Sequence, residues 1–183
     1  MFAARGYRAA SVDEILAEAG LSKGTFYWHY GSKQELFLAL LEERIDRPAQ
    51  TLMEVTRSAP AEAATAPVVS RGLAELFERH RELVLLQHEY WTAAVRDPQV
   101  GERYRRRQAA LRDALARALA ARHERTAVPL TVPAQRLATA FIALVEGLSL
   151  EALVDPDSVD AELFGEIASL VYDGMAARAG RGQ

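Results

Sequence analysis

The chain has 183 residues, half of them hydrophobic, enough for one ordinary domain or a small module joined to a larger one. It contains no cysteine, which excludes disulfides, thiolate metal sites, iron–sulfur clusters and cysteine nucleophiles. A net charge of −3 is not that of a general nucleic-acid coat, so any DNA binding has to come from a local patch.

The composition reads as helical throughout: Ala, Leu, Arg and Glu dominate, and β-branched runs are scarce. The opening MFAARGYRAAS lacks an apolar run ahead of a small-residue cleavage site. It is not read as a signal peptide, and the expected compartment is the cytoplasm. Ser11-Val12-Asp13-Glu14 has the spacing of a capping box, in which hydroxyl and carboxylate each take the other's backbone amide. It starts a helix predicted over 12–19, which Gly20 ends in a left-handed conformation. Ser22 caps a second short helix over 23–29, and Gly31 breaks the chain again. Ser32-Lys33-Gln34-Glu35 is a second capping box that opens a long helix through LFLALLEERID. Pro48 is expected to kink or end that helix, since it removes a backbone donor and crowds the preceding turn. AEAATAP (61–67) reads as a linker or a fraying helix end.

Further helices are predicted over 68–80, 82–96, 98–123, 133–154 and 161–178. The breaks fall at Pro98, in VPLTVP (128–133) and at Asp155-Pro156-Asp157. Residues 137–154 (LATAFIALVEGLSLEALV) approach the length of a membrane span. Glu146 and Glu151 lie inside that run, and each carboxylate would cost about 2.5–3.5 kcal/mol near a bilayer centre. The run is therefore read as a buried helix of a bundle or dimer. The last helix carries Leu163, Phe164, Ile167, Leu170 and Val171 on one stripe. These two helices, paired with their copies across a two-fold axis, would make a four-helix interface.

The informative stretch is Ser11 to Lys33. Two short capped helices flank a turn centred on Gly20-Leu21-Ser22, which is helix-turn-helix geometry. The second helix would direct Lys23, Gly24 and Thr25 at base edges: Gly24 permits close backbone approach, and Thr25 offers a methyl and a hydroxyl. Residues 19–34 contain no Asp or Glu and hold both lysines of the protein, Lys23 and Lys33. An acid-free window with hydroxyls and helix amino ends suits phosphate. Phe26 and Tyr30, four apart, are expected in the core with Phe2, Ile15, Leu36 and Leu40. Tyr27, Trp28 and His29 are consecutive, so at least two of them face solvent.

Three segments resemble the TetR family of transcriptional regulators: R-G-Y-x-x-x-S-V-D-E-I from Arg5, A-G-L-S-K-G-T-F-Y-W-H-Y from Ala19, and S-K-Q-E-L-F from Ser32. The W-T-A-A-V-R-D-P run at 91–98 is also similar to segments of family members. The resemblance implies an all-α fold, with a helix-turn-helix DNA-binding domain over 1–46 and a helical ligand-binding and dimerisation domain over 47–183. It implies a homodimer that binds a near-palindromic double-stranded DNA operator, usually as a repressor, and releases it when a small-molecule effector fills the larger domain. On this resemblance Ser11, Ser22, Tyr27, His29 and Lys33 are phosphate or backbone contacts, and Lys23, Gly24, Thr25 and Trp28 form the base-reading surface. Two departures stand out. The family has a full helix before Arg5, where this chain has MFAAR. Leu16 stands four residues before the turn glycine, where a small residue is common, and would alter the angle between the two helices slightly.

In the larger half, His88, Trp91, Tyr104, Phe141, Val145 and Glu146 are the candidate lining of an apolar cavity with a few polar groups. Glu146 is the charge in the middle of an apolar helix, so it contacts a ligand, pairs with an arginine or lies at the dimer seam. His80 and His88, eight apart, are poorly spaced for one metal, and His123 sits favourably near a helix end. RYRRR (103–107) reads as a solvated face or an intersubunit salt-bridge set. No P-loop, G-x-S-x-G, G-x-G-x-x-G or H-E-x-x-H occurs, and Ser149 in EGLSLE has no histidine linked to it. No catalytic residue, cofactor or metal is expected. The rival reading is a helical ligand- or partner-binding dimer whose truncated DNA module is defunct.

Overall fold

The computed structural model describes residues 2–61, 64–126 and 130–181, and these form ten α-helices with no strand among them. The first four make the amino-terminal module: α1 (Phe2–Ala9), α2 (Val12–Ala19), α3 (Lys23–His29) and α4 (Lys33–Leu41). The boundaries follow from caps. The Ser11 hydroxyl accepts from the Glu14 amide at 3.2 Å, and the Glu14 carboxylate accepts from the Ser11 amide at 3.0 Å. Gly20 stops α2 at φ 65°, a left-handed conformation that needs no side chain to be moved aside. At α4 only half of the expected box forms. Ser32 accepts from the Glu35 amide, but the Glu35 carboxylate takes the Gly31 amide at 2.7 Å instead.

Of the two outcomes expected at Pro48, a kink or an end, the helix does not end. After α4 the helix widens into a π turn, Glu42–Asp46, in which the Arg47 amide bonds the Glu42 carbonyl five residues back. It then continues as α5 (Arg47–Ser58), with Pro48 in the first turn. Proline lacks the amide that an ordinary turn would use here, and the wider turn relieves the crowding by its ring.

The rest of the chain forms α6 (Thr65–Arg79), α7 (Arg81–Arg96), α8 (Pro98–Thr126), α9 (Ala134–Val154) and α10 (Leu163–Arg181). The segment read as a linker thus contains the first turn of α6 at Thr65, while Glu62 and Ala63 lie outside the described residues, as do 128 and 129 of the predicted VPLTVP break. With 29 residues, α8 is about 43 Å long and packs against α5, α7 and α9. One core cluster joins the module to the bundle: Phe2, Phe37, Leu41 and Ile45 pack with Leu86 and Tyr90 of α7 and Tyr104 of α8. A second holds the bundle together through Leu119, Leu137, Phe141, Ala168 and Met175.

Long cations close three helix carboxyl ends, where carbonyls lack intrahelical partners. Lys33 donates to the carbonyls of Tyr7 and Ala10 in and after α1, both at 2.9 Å. Arg122 donates to Ala59 and Ala61 after α5, and Arg81 to Ala152 and Leu153 of α9.

Candidate nucleic-acid interface and cavity

Helix α3 is anchored by one side chain and presents the rest. Phe26 is buried and packs edge-on against Tyr27 and tilted against Tyr30. On the other side Tyr27 and Trp28 are 55% and 80% exposed, and the Trp28 ring meets His29 edge-on at 4.4 Å. Trp28 is too large and apolar to be left so open without reason. The Ser22 hydroxyl accepts from the Thr25 amide at 3.1 Å and lies 2.9 Å from the Thr25 hydroxyl, which fixes the amino end of the helix. Gly24 is exposed there, and a Cβ on it would meet only the Ser22 hydroxyl at an ordinary 3.7 Å. Lys23 pairs with Asp13 of α2 at 2.8 Å, and that hydrogen bond raises its pKa. Both side chains are well exposed, so a phosphate can compete for the ammonium.

The structure brings Ser22, Lys23, Gly24, Thr25, Tyr27, Trp28 and His29 together on one exposed helix and its cap, with Ser11 at the start of α2. Lys33 is set apart. Its ammonium faces the carbonyls at the end of α1 and lies 4.8 Å from the Tyr7 ring centre, and burial lowers its pKa. The module is also tied to the bundle. Glu89 of α7 accepts the Tyr7 amide at 2.8 Å, Gln34 donates to the Tyr90 hydroxyl, and Arg103 of α8 pairs with Glu35 at 2.9 Å.

A cavity of about 130 Å³ lies between α5, α6, α7, α8, α9 and α10. Its walls are mainly apolar, including Leu52, Met53, Phe77, Leu111 and Phe164, with Asp46, Gln87, Arg107, Glu146 and Tyr172 as polar points. A second cavity of about 350 Å³ adjoins it and shares Leu73, Phe77, Val84, Val145, Ser149 and Phe164. Of the sequence candidates, Phe141, Val145 and Glu146 line the first cavity. Trp91 and Tyr104 border a separate depression that reaches Glu146 from the other side. His88 borders none of the three, and its Nδ1 shares a hydrogen bond with the Val84 carbonyl of its own helix at 2.9 Å. Glu146 pairs with no arginine among the described residues; its carboxylate accepts from Gln108 at 2.6 Å.

The sequence reading missed the main polar feature of the cavity. Arg107 leaves the solvated run assigned to it and bonds Asp46 through Nε at 2.7 Å and Nη2 at 2.5 Å. The two side chains are 9% and 6% exposed. Burial outweighs the guanidinium and pushes the Asp46 carboxyl above its ordinary 3.8. A usable signal was present: Tyr104, Gln108, Leu111 and Leu115 form a stripe at helical spacing, and Arg107 flanks it. Tyr172 was also missed. Its hydroxyl is buried, and its pKa is raised by that burial.

Residues 1–40 match the family described as "Bacterial regulatory proteins, tetR family", and residues 69–169 match "BetI-type transcriptional repressor, C-terminal". The chain is 30% identical over 188 aligned residues to the HTH-type transcriptional regulator TtgR of Pseudomonas putida, a match covering 95% of this chain and 84% of that protein. It is 41% identical over 58 residues to the HTH-type transcriptional activator FasR of Mycolicibacterium smegmatis, a match covering 32% of this chain and only 26% of that protein. A crystal structure of a transcriptional regulator from Pseudomonas aeruginosa PAO1 superposes with a TM-score of 0.73, at 24% identity, over 98% of this chain and 86% of that one. At that identity the likeness speaks for the fold.

Proposed function

The chain belongs to the TetR family of transcriptional regulators, and from that premise we propose that it is a homodimeric, effector-responsive DNA binder, most simply a repressor. Residues 1–46 read a near-palindromic operator, and residues 47–183 dimerise and take the effector. Lys23, Gly24, Thr25 and Trp28 read base edges, with Ser11, Ser22, Tyr27 and His29 on the backbone. The observation that carries this reading is the exposed aromatic and hydroxyl face of α3, held by Phe26 and an intact cap.

Two further observations support the rest. Helix α9 is apolar along most of its length, yet few of its residues are fully buried within the chain. Ala140, Ala143, Gly147, Leu150 and Val154 lie exposed on it at spacings of three and four, with Ile167 and Leu170 exposed on α10. That stripe suits a second copy of the chain, which would set two reading helices about 34–36 Å apart. The cavity touches Asp46, at the end of the π turn that continues α4, so α4 is the lever between effector and reading head. The effector has to favour a wrongly spaced state by a few kcal/mol.

The test is fluorescence anisotropy with DNA flanking the protein's own gene, against a scrambled control, at two salt concentrations. Selective, salt-dependent binding is expected. Binding no better than to the scrambled DNA would replace this reading with that of a ligand-binding dimer whose DNA module is inactive. That alternative draws on Lys23 and Lys33 both being engaged within the chain.

A further inference from the structure

Arg107 lies in the cavity wall with three of its donor directions defined unequally. Nε and Nη2 are used by Asp46, and Nη2 also approaches Gln87 at 3.3 Å. Nη1 is buried and has no hydrogen-bond partner among the described residues. A buried guanidinium nitrogen left in this way is costly, because its lost hydration is not replaced. The Tyr172 hydroxyl, in the wall of the same cavity, is the other lining polar atom in that condition among the described residues. Asp46, Gln87 and Glu146 in the same wall all have hydrogen-bond partners, and the rest of the surface is mainly apolar.

We propose that the cavity selects an uncharged, mostly apolar molecule of about one ring, whose carbonyl or hydroxyl oxygen accepts the Nη1–H of Arg107. The inference rests on reading this cavity as the effector site. Size follows from the volume of the cavity that Arg107 and Tyr172 line, about 130 Å³, where a dry apolar cavity of about 150 Å³ holds benzene; the adjoining cavity of about 350 Å³ reaches neither residue. Charge follows from the neighbours. Asp46 already neutralises Arg107, and Glu146 adds a second carboxylate to the wall. A carboxylate ligand would therefore enter with no uncompensated cation to meet it. A ligand ammonium at Nη1 would set a donor against a donor, and one drawn to Glu146, which already holds Gln108, would leave Nη1 unsatisfied. A neutral oxygen satisfies Nη1 and leaves the Asp46 pair intact.

The test uses the full chain and three matched probes followed by 19F NMR: 4-fluoroacetophenone, 1-ethyl-4-fluorobenzene and 4-fluorobenzoate. The ketone is expected to bind about tenfold more tightly than the ethyl compound, as a hydrogen bond to a charged donor allows. The benzoate is expected to be the weakest of the three. Arg107→Lys keeps a cation for Asp46 but has no second arm. It should bring the ketone-to-ethyl ratio close to one. If this variant does not fold, Asp46→Leu with Arg107→Met removes both charges at similar volume and carries the same expectation. Equal binding of ketone and ethyl compound by the unaltered chain overturns the role of Arg107 and leaves the cavity reading standing. Tightest binding of the benzoate overturns the neutral-ligand assignment. Binding of none of the three overturns the cavity reading itself.

Discussion

Replacing Gly6 by alanine tests how the reading module is seated. Gly6 interrupts α1 with φ 75° and ψ 167°, a region open essentially to glycine alone. Holding alanine there costs about 1–3 kcal/mol. The new methyl would also lie 2.9 Å from one oxygen of Glu89, the oxygen that accepts the Tyr7 amide. The carboxylate must move, and losing a hydrogen bond to a charged acceptor costs about 1.5–3 kcal/mol. The sum is about 2.5–6 kcal/mol. At a urea slope of about 2 kcal/mol per molar, the lower end already shifts the midpoint by more than about 1 M. The assay is urea unfolding followed by circular dichroism at one fixed protein concentration, since association adds its own stability. Glu89→Ala supplies the partner for a double-mutant cycle. On that background Gly6→Ala should cost only the backbone share, about 1–3 kcal/mol. A midpoint unchanged by Gly6→Ala would refute both the backbone argument and the assigned Glu89 contact.

Four other outcomes are expected. Alanine at Lys23, Thr25 and Tyr27 together should abolish selective operator binding in the anisotropy assay; unchanged affinity would mean that the reading surface lies elsewhere. Ser22→Ala should cost about 1 kcal/mol through loss of the α3 cap, measured by thermal or urea unfolding. Glu35 is held below its ordinary 4.5 first by the Gly31 amide and then by Arg103, and Glu14 first by the Ser11 amide. Stability from these groups is therefore present above the unfolded value and lost as pH falls through the lowered ones, and Glu35→Gln should flatten that acid limb in a pH series of melts. Leu170→Glu, at a site 66% exposed in the single chain, should yield a monomer in sedimentation velocity with helix content retained; a dimer of unchanged strength would place the interface elsewhere.

Helices α2 and α3 were legible to the residue because serines and a glycine mark their ends through local hydrogen bonds. Helix α1, which carries no such cap, was not read at all. The continuation past Pro48 was not legible either. A proline reads as a break unless the turn before it widens, and no periodicity announces a π turn. On α9, Phe141 and Val145 were placed in the cavity because they sit four apart on one face. His88 and Trp91 share a helix and an apolar neighbourhood, but helical spacing does not say which face a partner will cover. Arg107 and Lys33 show the same limit for charge. A cation in a sequence looks like a surface group or a phosphate contact, and only the packing reveals a carboxylate 61 residues away or the open end of another helix.

The shared core around Phe37 and Tyr90 also governs where this protein could be cut and joined to another. Phe2, Phe37 and Leu41 complete their packing with Leu86, Tyr90 and Tyr104, so a foreign head spliced in at residue 46 would arrive without its matching floor. The turn and α3 bury little beyond Phe26, which stands outside that cluster. A transplant confined to residues 20–30 that keeps an aromatic at 26 would leave the joint untouched. Operator preference could then be exchanged like a drill bit while the chuck stays the same.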